Sequence, residues 1–205
     1  KLYRSSETNI IPNEELKHAA SIMTDEQFNQ EFECSFTAAV SGAYYGKLIT
    51  KADNEKRIGT VECDDNAGVE TWWDLGIGDS TAIWFAQRVG SEIHIIDYYE
   101  NSGESLAHYA DVLLEKDYAY ERHIAPHDIQ ARELGTGKSR LEVANELGID
   151  FEVAPKLEVD HGIECVRNTL PNCWFDREKC KLGLDALRQY RKQWDDKNQV
   201  FKNKP

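Results

Sequence analysis

Three runs of mainly Ile, Val, Thr and aromatic residues lie close together near the middle of the chain, at positions 69–75, 80–89 and 92–99. Runs of this composition are typical of β-strands. Only Gly90 and Ser91 separate the second run from the third. A connection of two such residues predicts an antiparallel hairpin.

The pattern then changes to a helical one. Apolar residues recur at i, i+3, i+4, i+7 and i+8, and these are Leu106, Tyr109, Ala110, Leu113 and Leu114. This spacing predicts an amphipathic helix.

Strand and helix signals alternate in the second half of the chain. They predict a strand over 122–125, a helix from the cap Ser139 to Gly148, a strand over 150–154, and helices over 159–170 and 178–194. The order of elements indicates an α/β domain with a mixed sheet.

The first part of the chain has a different sequence pattern. Thr24-Asp-Glu-Gln27 is a capping-box pattern and predicts a short helix over 24–33. Residues 63–68 are acidic, contain glycine and indicate a surface loop. We interpret residues 1–46 as an arm and residues 47–205 as the main domain.

The net charge of the chain limits the kinds of partner that it can bind. The chain has 24 Lys and Arg against 37 Asp and Glu, a net charge of −13. This excess argues against binding nucleic acid by bulk electrostatics, so any DNA contact must be local. Apolar stretches are too short for a membrane span, and the sequence begins without a signal-peptide pattern. We therefore expect a soluble, intracellular protein without a membrane partner.

Five cysteines occur without a Cys-x-x-Cys pair. Neither a disulfide framework nor a zinc site is indicated, and buried thiols are the simpler interpretation.

Asp74 and Asp128 are the candidate functional residues, because each ends a predicted buried strand. A carboxylate in this position needs a cation or hydrogen-bond donors to compensate for desolvation. Ligands of α/β sheets gather at the carboxyl ends of strands. Converging carboxylates form an all-oxygen site that suits Mg²⁺ or Mn²⁺, and two such ions can catalyse phosphodiester hydrolysis.

Two further aspartates are weaker candidates. Asp79 follows Asp74 after two glycines and could turn back toward the same site as a ligand, or it could be an ordinary turn residue. Alternation along the hairpin can place Asp97 on a solvated face.

Ordered motifs over most of the chain resemble the nuclease part of the large terminase subunit of tailed double-stranded DNA phages. They are Trp73-Asp-Leu-Gly-Ile-Gly-Asp-Ser-Thr81, Ile95-Ile-Asp-Tyr-Tyr-Glu100, Pro126-His-Asp128, Gly137-Lys-Ser-Arg140, Phe32-Glu-Cys-Ser-Phe36, Gly42-Ala-Tyr-Tyr-Gly46, Cys173-Trp-Phe-Asp176 and Leu187-Arg-Gln-Tyr190.

The resemblance implies a ribonuclease H-like fold and a metal-dependent endonuclease that cuts concatemeric phage DNA, with Asp74 and Asp128 as the first two catalytic acids. It implies Mg²⁺ or Mn²⁺ as cofactor, with two ions when DNA is bound. It also implies an upstream ATPase domain, double-stranded DNA, the small terminase subunit and the portal protein as partners, and action in the host cytoplasm.

The resemblance also implies a third acid in a His-x-Ala-Asp-Ala helix motif, which residues 1–205 do not contain. Asp185, Asp195 and Asp196 lie on the predicted last helix without the matching context. We therefore expect the third acid beyond Pro205.

The segment Gly135-Thr-Gly-Lys-Ser139 resembles a nucleotide-binding loop, but the Walker pattern needs a glycine where Arg132 stands. Lys138 and Arg140 could instead contact a DNA phosphate, or Ser139 could be only a helix cap with both basic residues solvated. His127 could orient a water or a phosphate, or bond to the backbone.

Two alternatives to the terminase hypothesis stay open. One is another ribonuclease H-like nuclease of the resolvase or transposase type. The other is a docking module of the packaging motor that is catalytically silent.

Overall fold

The computed structural model describes residues 11–22, 42–76, 80–132, 137–195, 198, 200–202 and 205. The predicted helix over 24–33, the loop at Gly135 and the candidate Asp79 lie outside the described residues. The helices are α1 (Asn13–Ile22), α2 (Gly46–Asn54), α3 (Leu106–Lys116), α4 (Arg140–Glu146), α5 (Val159–Thr169) and α6 (Lys181–Gln189), with 3₁₀ turns at His127–Gln130 and Leu170–Asn172. The strands are β1 (Ile58–Gly59), β2 (Val69–Asp74), β3 (Ser80–Val89), β4 (Glu92–Ser102), β5 (Tyr120–Ala125), β6 (Phe151–Val153), β7 (Cys173–Asp176), β8 (Trp194–Asp195) and β9 (Val200–Phe201).

A mixed sheet of seven strands organises the larger part of the chain, in the order β1-β7-β4-β3-β2-β5-β6. β3 runs antiparallel to both β2 and β4, whereas β5 is parallel to β2, and the outer strands continue in parallel pairs. The predicted hairpin of β3 and β4 is confirmed, and Gly90 in its turn has a φ of 62°. The predicted mixed α/β sheet is also confirmed.

Two strands of this sheet were not predicted from the sequence. β7 has four residues and β1 has two, too few for a periodic pattern to stand out. The last helix was predicted too long, since α6 ends at Gln189 and Trp194 belongs to β8. The chain leaves the helix at Tyr190, whose carbonyl accepts a hydrogen bond from the Tyr44 amide.

One face of the sheet forms the main hydrophobic core with α3 and α4. Its centre contains Ile83, Phe85, Tyr109, Ile129 and Ala144, all 2% exposed or less. Tyr109 comes from α3 and Ala144 from α4, so the apolar faces of these helices cover this side of the sheet.

Asp97 lies in an irregular part of β4. Phe85 pairs with Asp97, but the next residue of β3, Ala86, pairs with Ile95, which leaves Ile96 as an extra residue. The bulge interrupts alternation and Asp97 is only 5% exposed, so the expected solvated face is wrong. Its carboxylate accepts hydrogen bonds from Lys116 and Tyr118, which compensate for its burial.

The cysteines that the structure describes divide into two groups. Cys173 and Cys180 are buried, as expected, whereas Cys63 and Cys165 are exposed. The expectation of buried thiols is therefore wrong for the second pair.

The chain divides into two compact units. The larger unit, Arg57–Gly162 with Asn172–Gly183, contains the seven-stranded sheet. The other unit, Lys1–Lys56 with Ile163–Pro171 and Leu184–Pro205, contains the β8–β9 pair. In this unit the rings of Tyr45 and Tyr190 stack with centroids 5.5 Å apart. The proposed boundary at residue 46 stays a prediction.

Candidate metal centre at the carboxyl ends of β2 and β5

Asp74 and Asp128 are brought to one edge of the sheet by the pairing of β2 with β5. The strands are parallel neighbours, and Trp72 pairs with Ile124. Asp74 is the last residue of β2, and Asp128 lies in the 3₁₀ turn directly after β5. The carboxyl ends of parallel strands lie at one edge of a sheet. Asp74 and Asp128 are 54 positions apart in the chain (128 − 74), but both lie at this edge, at the ends of adjacent strands.

Both aspartates are exposed, although β2 is largely buried and β5, which precedes Asp128, is partly buried. Pro126 ends β5 and begins the turn, in which the Ile129 amide donates to the Pro126 carbonyl at 3.1 Å. Ile129 is fully buried and anchors this turn in the core. The neighbouring Asp128 and His127 therefore face solvent from an anchored backbone.

A further carboxylate shares the face of the sheet with Asp74. Ala82 on β3 pairs with Asp74 on one side and with Glu100 of β4 on the other. Paired residues on adjacent strands project to the same face, and alanine leaves the space between them unfilled. Glu100 was not predicted from the sequence. Counting the hairpin register from its two-residue turn would place Tyr99 opposite Ala82, and only the bulge at Ile96 brings Glu100 to that position.

Tyr98, two residues before Glu100 on β4, holds the Glu100 carboxylate in place. Its hydroxyl donates to Glu100 at 2.5 Å. Burial raises the pKa of Tyr98, and the negative charges of Glu100 and Asp74 add to the increase. The hydroxyl therefore stays protonated and serves as a hydrogen-bond donor at neutral pH.

On the opposite face, a buried polar chain lies behind Asp74. The Trp73 indole donates to the Thr71 hydroxyl at 2.7 Å, and this hydroxyl lies 2.6 Å from Nδ1 of His123. Burial lowers the pKa of His123. The Nδ1 of a neutral imidazole can accept a hydrogen bond from the Thr71 hydroxyl, which links β2 to β5 through side chains as well as backbone.

The donor set fits a divalent cation in part. Two carboxylates at neighbouring strand ends are the oxygen ligands that Mg²⁺ and Mn²⁺ prefer. Within the described part of the chain, however, no group of three or more His, Cys, Asp or Glu side chains is placed to hold a metal ion. The candidate ligand Asp79 lies outside that part.

The basic residues near Ser139 lie at the start of α4. Ser139 caps this helix through a complete capping box with Glu142, so the predicted cap is confirmed. Lys138 forms an exposed ion pair with Glu146 at 2.6 Å, and Arg140 is half-buried. The DNA contacts expected of Lys138, Arg140 and His127 stay predictions.

Similarity to known proteins is found at the level of structure. The chain matches no protein-family model and no curated protein. Among solved structures it is similar to the large terminase of a thermophilic bacteriophage in complex with ATP-γ-S, at 15% identity and a TM-score of 0.59, over 94% of this chain and 47% of that one. The chain thus spans less than half the length of that large terminase.

Isolated nuclease domains match over more of their own length. The P22 large terminase nuclease domain has a TM-score of 0.53 at 16% identity and covers 73% of this chain and 80% of its own. The large terminase nuclease of thermophilic phage G20c, a structure with bound cobalt, has a TM-score of 0.50 at 14% identity and covers 80% and 88%.

The mixed sheet of seven strands and its flanking helices are consistent with the fold of these nuclease domains. The described residues include no helix with the length and apolar character needed to cross a membrane. The fold of this chain is the ribonuclease H-like fold of large terminase nuclease domains.

Proposed function

We propose that this chain is the metal-dependent endonuclease domain of a phage genome-packaging terminase. The observation that carries the proposal is the position of Asp74 and Asp128 at the ends of adjacent parallel strands, in a fold of terminase nuclease type. Both carboxylates are exposed, so a phosphodiester could reach them.

The substrate in this proposal is concatemeric viral DNA, and the reaction is hydrolysis of a phosphodiester bond with water as the nucleophile. Asp74 and Asp128 would hold Mg²⁺ or Mn²⁺, with two ions when DNA is bound. When bound, the cations would lower the pKa of a coordinated water and neutralise charge on the phosphate. The bound cobalt of the G20c nuclease structure supports the use of a divalent cation.

The protein's own groups have two roles. The carboxylates orient the cations, and the surrounding strands hold the carboxylates in place. His127 is next to Asp128 in the exposed turn, where it could orient the attacked phosphate. The partners in this proposal are double-stranded DNA, the small terminase subunit and the portal protein, and the location is the host cytoplasm.

Soaking crystals in Mn²⁺ tests the metal site directly. We expect anomalous density between Asp74 and Asp128, lost in crystals of Asp128→Asn. EDTA should abolish cleavage of plasmid DNA, and Mg²⁺ or Mn²⁺ should restore it. Crystals without an ion at these residues, together with DNA cleavage that EDTA does not affect, would contradict the proposal. The docking-module alternative expects no ion and no cleavage.

We expect DNA binding to depend on Lys138 and Arg140. Exposed ion pairs contribute at most about 1 kcal/mol, so Lys138 can exchange Glu146 for a DNA phosphate. Replacing both basic residues by alanine should weaken binding and reduce the slope of log affinity against log salt by about one per lost phosphate contact.

The matched control replaces Lys156 and Lys179, two exposed lysines elsewhere, and removes the same charge. It should bind DNA like the parent at equal ionic strength. Equal losses in both double variants would indicate a nonspecific charge effect rather than a contact at α4.

A further inference from the structure

Glu70 is a buried carboxylate in the middle of the sheet. It lies on β2, is 2% exposed, and accepts hydrogen bonds from residues on both neighbouring strands. Arg88 of β3 donates through Nε at 2.8 Å, and Arg122 of β5 donates through a terminal nitrogen at 2.7 Å. Trp72 of the same strand donates its indole N–H at 3.0 Å.

These partners keep Glu70 charged. Burial is the largest single influence and opposes ionisation, but the hydrogen bonds from Arg88, Arg122 and Trp72 together outweigh it and lower the pKa of Glu70. The carboxylate is therefore ionised at neutral pH and attracts a guanidinium on either side. Glu70, Trp72 and Asp74 also project from the same face of β2, because alternate residues of a strand do so.

The pairing of β2 with β5 changes register next to Glu70. Val69 pairs with Tyr120, but Glu70 pairs with Arg122, so Glu121 is an extra residue on β5. Gly68 provides the space for this bulge, because a Cβ there would lie 2.6 Å from the Cβ of Glu121.

Without the bulge, β5 would continue in the register set by Val69 and Tyr120. Glu70 would then face Glu121, and Arg122 would pair with Thr71, which is fully buried on the core face. Like charges opposite each other are unfavourable, as is an unpaired buried arginine. The Glu70–Arg122 pair therefore selects the bulged register over the regular one.

The register between β2 and β5 determines the position of Asp128 relative to Asp74. A slip of one residue moves a strand by about 3.3 Å and sends each side chain to the other face. Asp74 follows Glu70 on β2, and Asp128 follows Arg122 after β5, with the register kept regular between Glu70 and Trp72. Any slip of β5 would thus displace Asp128 relative to Asp74.

We infer that Glu70 is a positioning residue: its bond to Arg122 fixes β5 on β2 in the register that places Asp128 beside Asp74. The connection to metal binding rests on the proposed function. Glu70 itself accepts hydrogen bonds from Arg88, Arg122 and Trp72.

The first test needs no metal. Hydrogen exchange measured by mass spectrometry should show lost protection in Glu70→Ala across β5 and the following turn, residues 120–131, with β4 unchanged. Glu70→Gln keeps the side-chain volume and should show the same loss of protection to a smaller extent. If Glu70→Ala does not fold, Glu70→Gln can be measured in its place.

Asp97→Asn is the matched control. Asp97 is a buried, ion-paired carboxylate in the same unit, but its hydrogen bonds come from Lys116 of α3 and from Tyr118, which precedes β5. Asp97→Asn should lose protection around β4 and residues 116–120 and keep it across residues 121–131. A uniform loss in the Glu70 variants, or unchanged exchange across β5, would overturn the inference.

The second test measures Mn²⁺ binding by electron paramagnetic resonance of the free ion. Changes to groups that position metal ligands cost about 10- to 100-fold in affinity, and we expect a loss in this range for Glu70→Gln. Asp97→Asn should bind like the parent. Equal loss in both would overturn the inference, as would parental affinity in Glu70→Gln. A parent chain that binds no Mn²⁺ would instead contradict the proposed function, while the exchange measurement still decides the register.

Discussion

Asp74→Asn should abolish cleavage of plasmid DNA in Mg²⁺ or Mn²⁺, and Asp128→Asn should do the same. Metal ions stabilise the transition state by several kcal/mol, so losing a ligand should reduce the rate by about a hundredfold or more. The Tm should stay unchanged or rise, because removing one of the two negative charges at this edge of the sheet lowers the repulsion between them when no metal is bound. Timed plasmid nicking and thermal denaturation measure the two effects.

Asp111→Asn is the matched control for this experiment. Asp111 is an exposed aspartate on α3, so the substitution removes the same charge away from β2 and β5. It should cleave DNA at the parent rate. Parent-like cleavage by either Asp74→Asn or Asp128→Asn would show that the proposed metal ligands are wrong.

Gly183→Ala should destabilise the larger unit. A Cβ at position 183 of α6 would lie 2.7 Å from Cζ2 of Trp84 and 2.8 Å from Cδ2 of Tyr98. Both rings are stiff and pack against each other with centroids 4.5 Å apart, so neither can turn away easily. Overpacking of this kind costs about 1–3 kcal/mol, or a fall in Tm of about 2–12 °C for a chain of this size.

Gly162→Ala on α5 separates the steric effect from helix propensity. Leaving aside its chain neighbours and its own helix backbone, no atom of the described residues lies within 4 Å of a Cβ built at Gly162. Both positions are helical, and alanine is favoured over glycine there by roughly 1 kcal/mol. Gly162→Ala should therefore be neutral or stabilising in the same thermal denaturation experiment. A stable Gly183→Ala would mean that Gly183 packs less closely against Trp84 and Tyr98 than the structure indicates.

The strongly patterned elements could be predicted from the sequence. β3 was predicted with its observed bounds, and α3 begins at the predicted Leu106, because ten or more residues with a consistent period leave few alternative structures. Ser139 was predicted as a cap from its place before a helical pattern, and the capping box with Glu142 confirms it.

The site was only partly predictable. Asp74 and Asp128 stand out because each follows an apolar strand, and this signal is local to the sequence. Glu100 was not selected, because its position beside Asp74 depends on pairing across three strands. Asp97 was expected on a solvated face, because a bulge at Ile96 cannot be read from alternation.

The sequence by itself determined the strands and helices with a long, regular pattern, such as β3 and α3, and the carboxylates that follow strands, because hydrophobic period and turn residues act over a few positions. Only the tertiary structure decided the order of the strands, since pairing β2 with β5 requires contacts between distant segments. It also decided the register at Glu70, where an ion pair between strands selects one of two pairings that the local pattern alone does not distinguish.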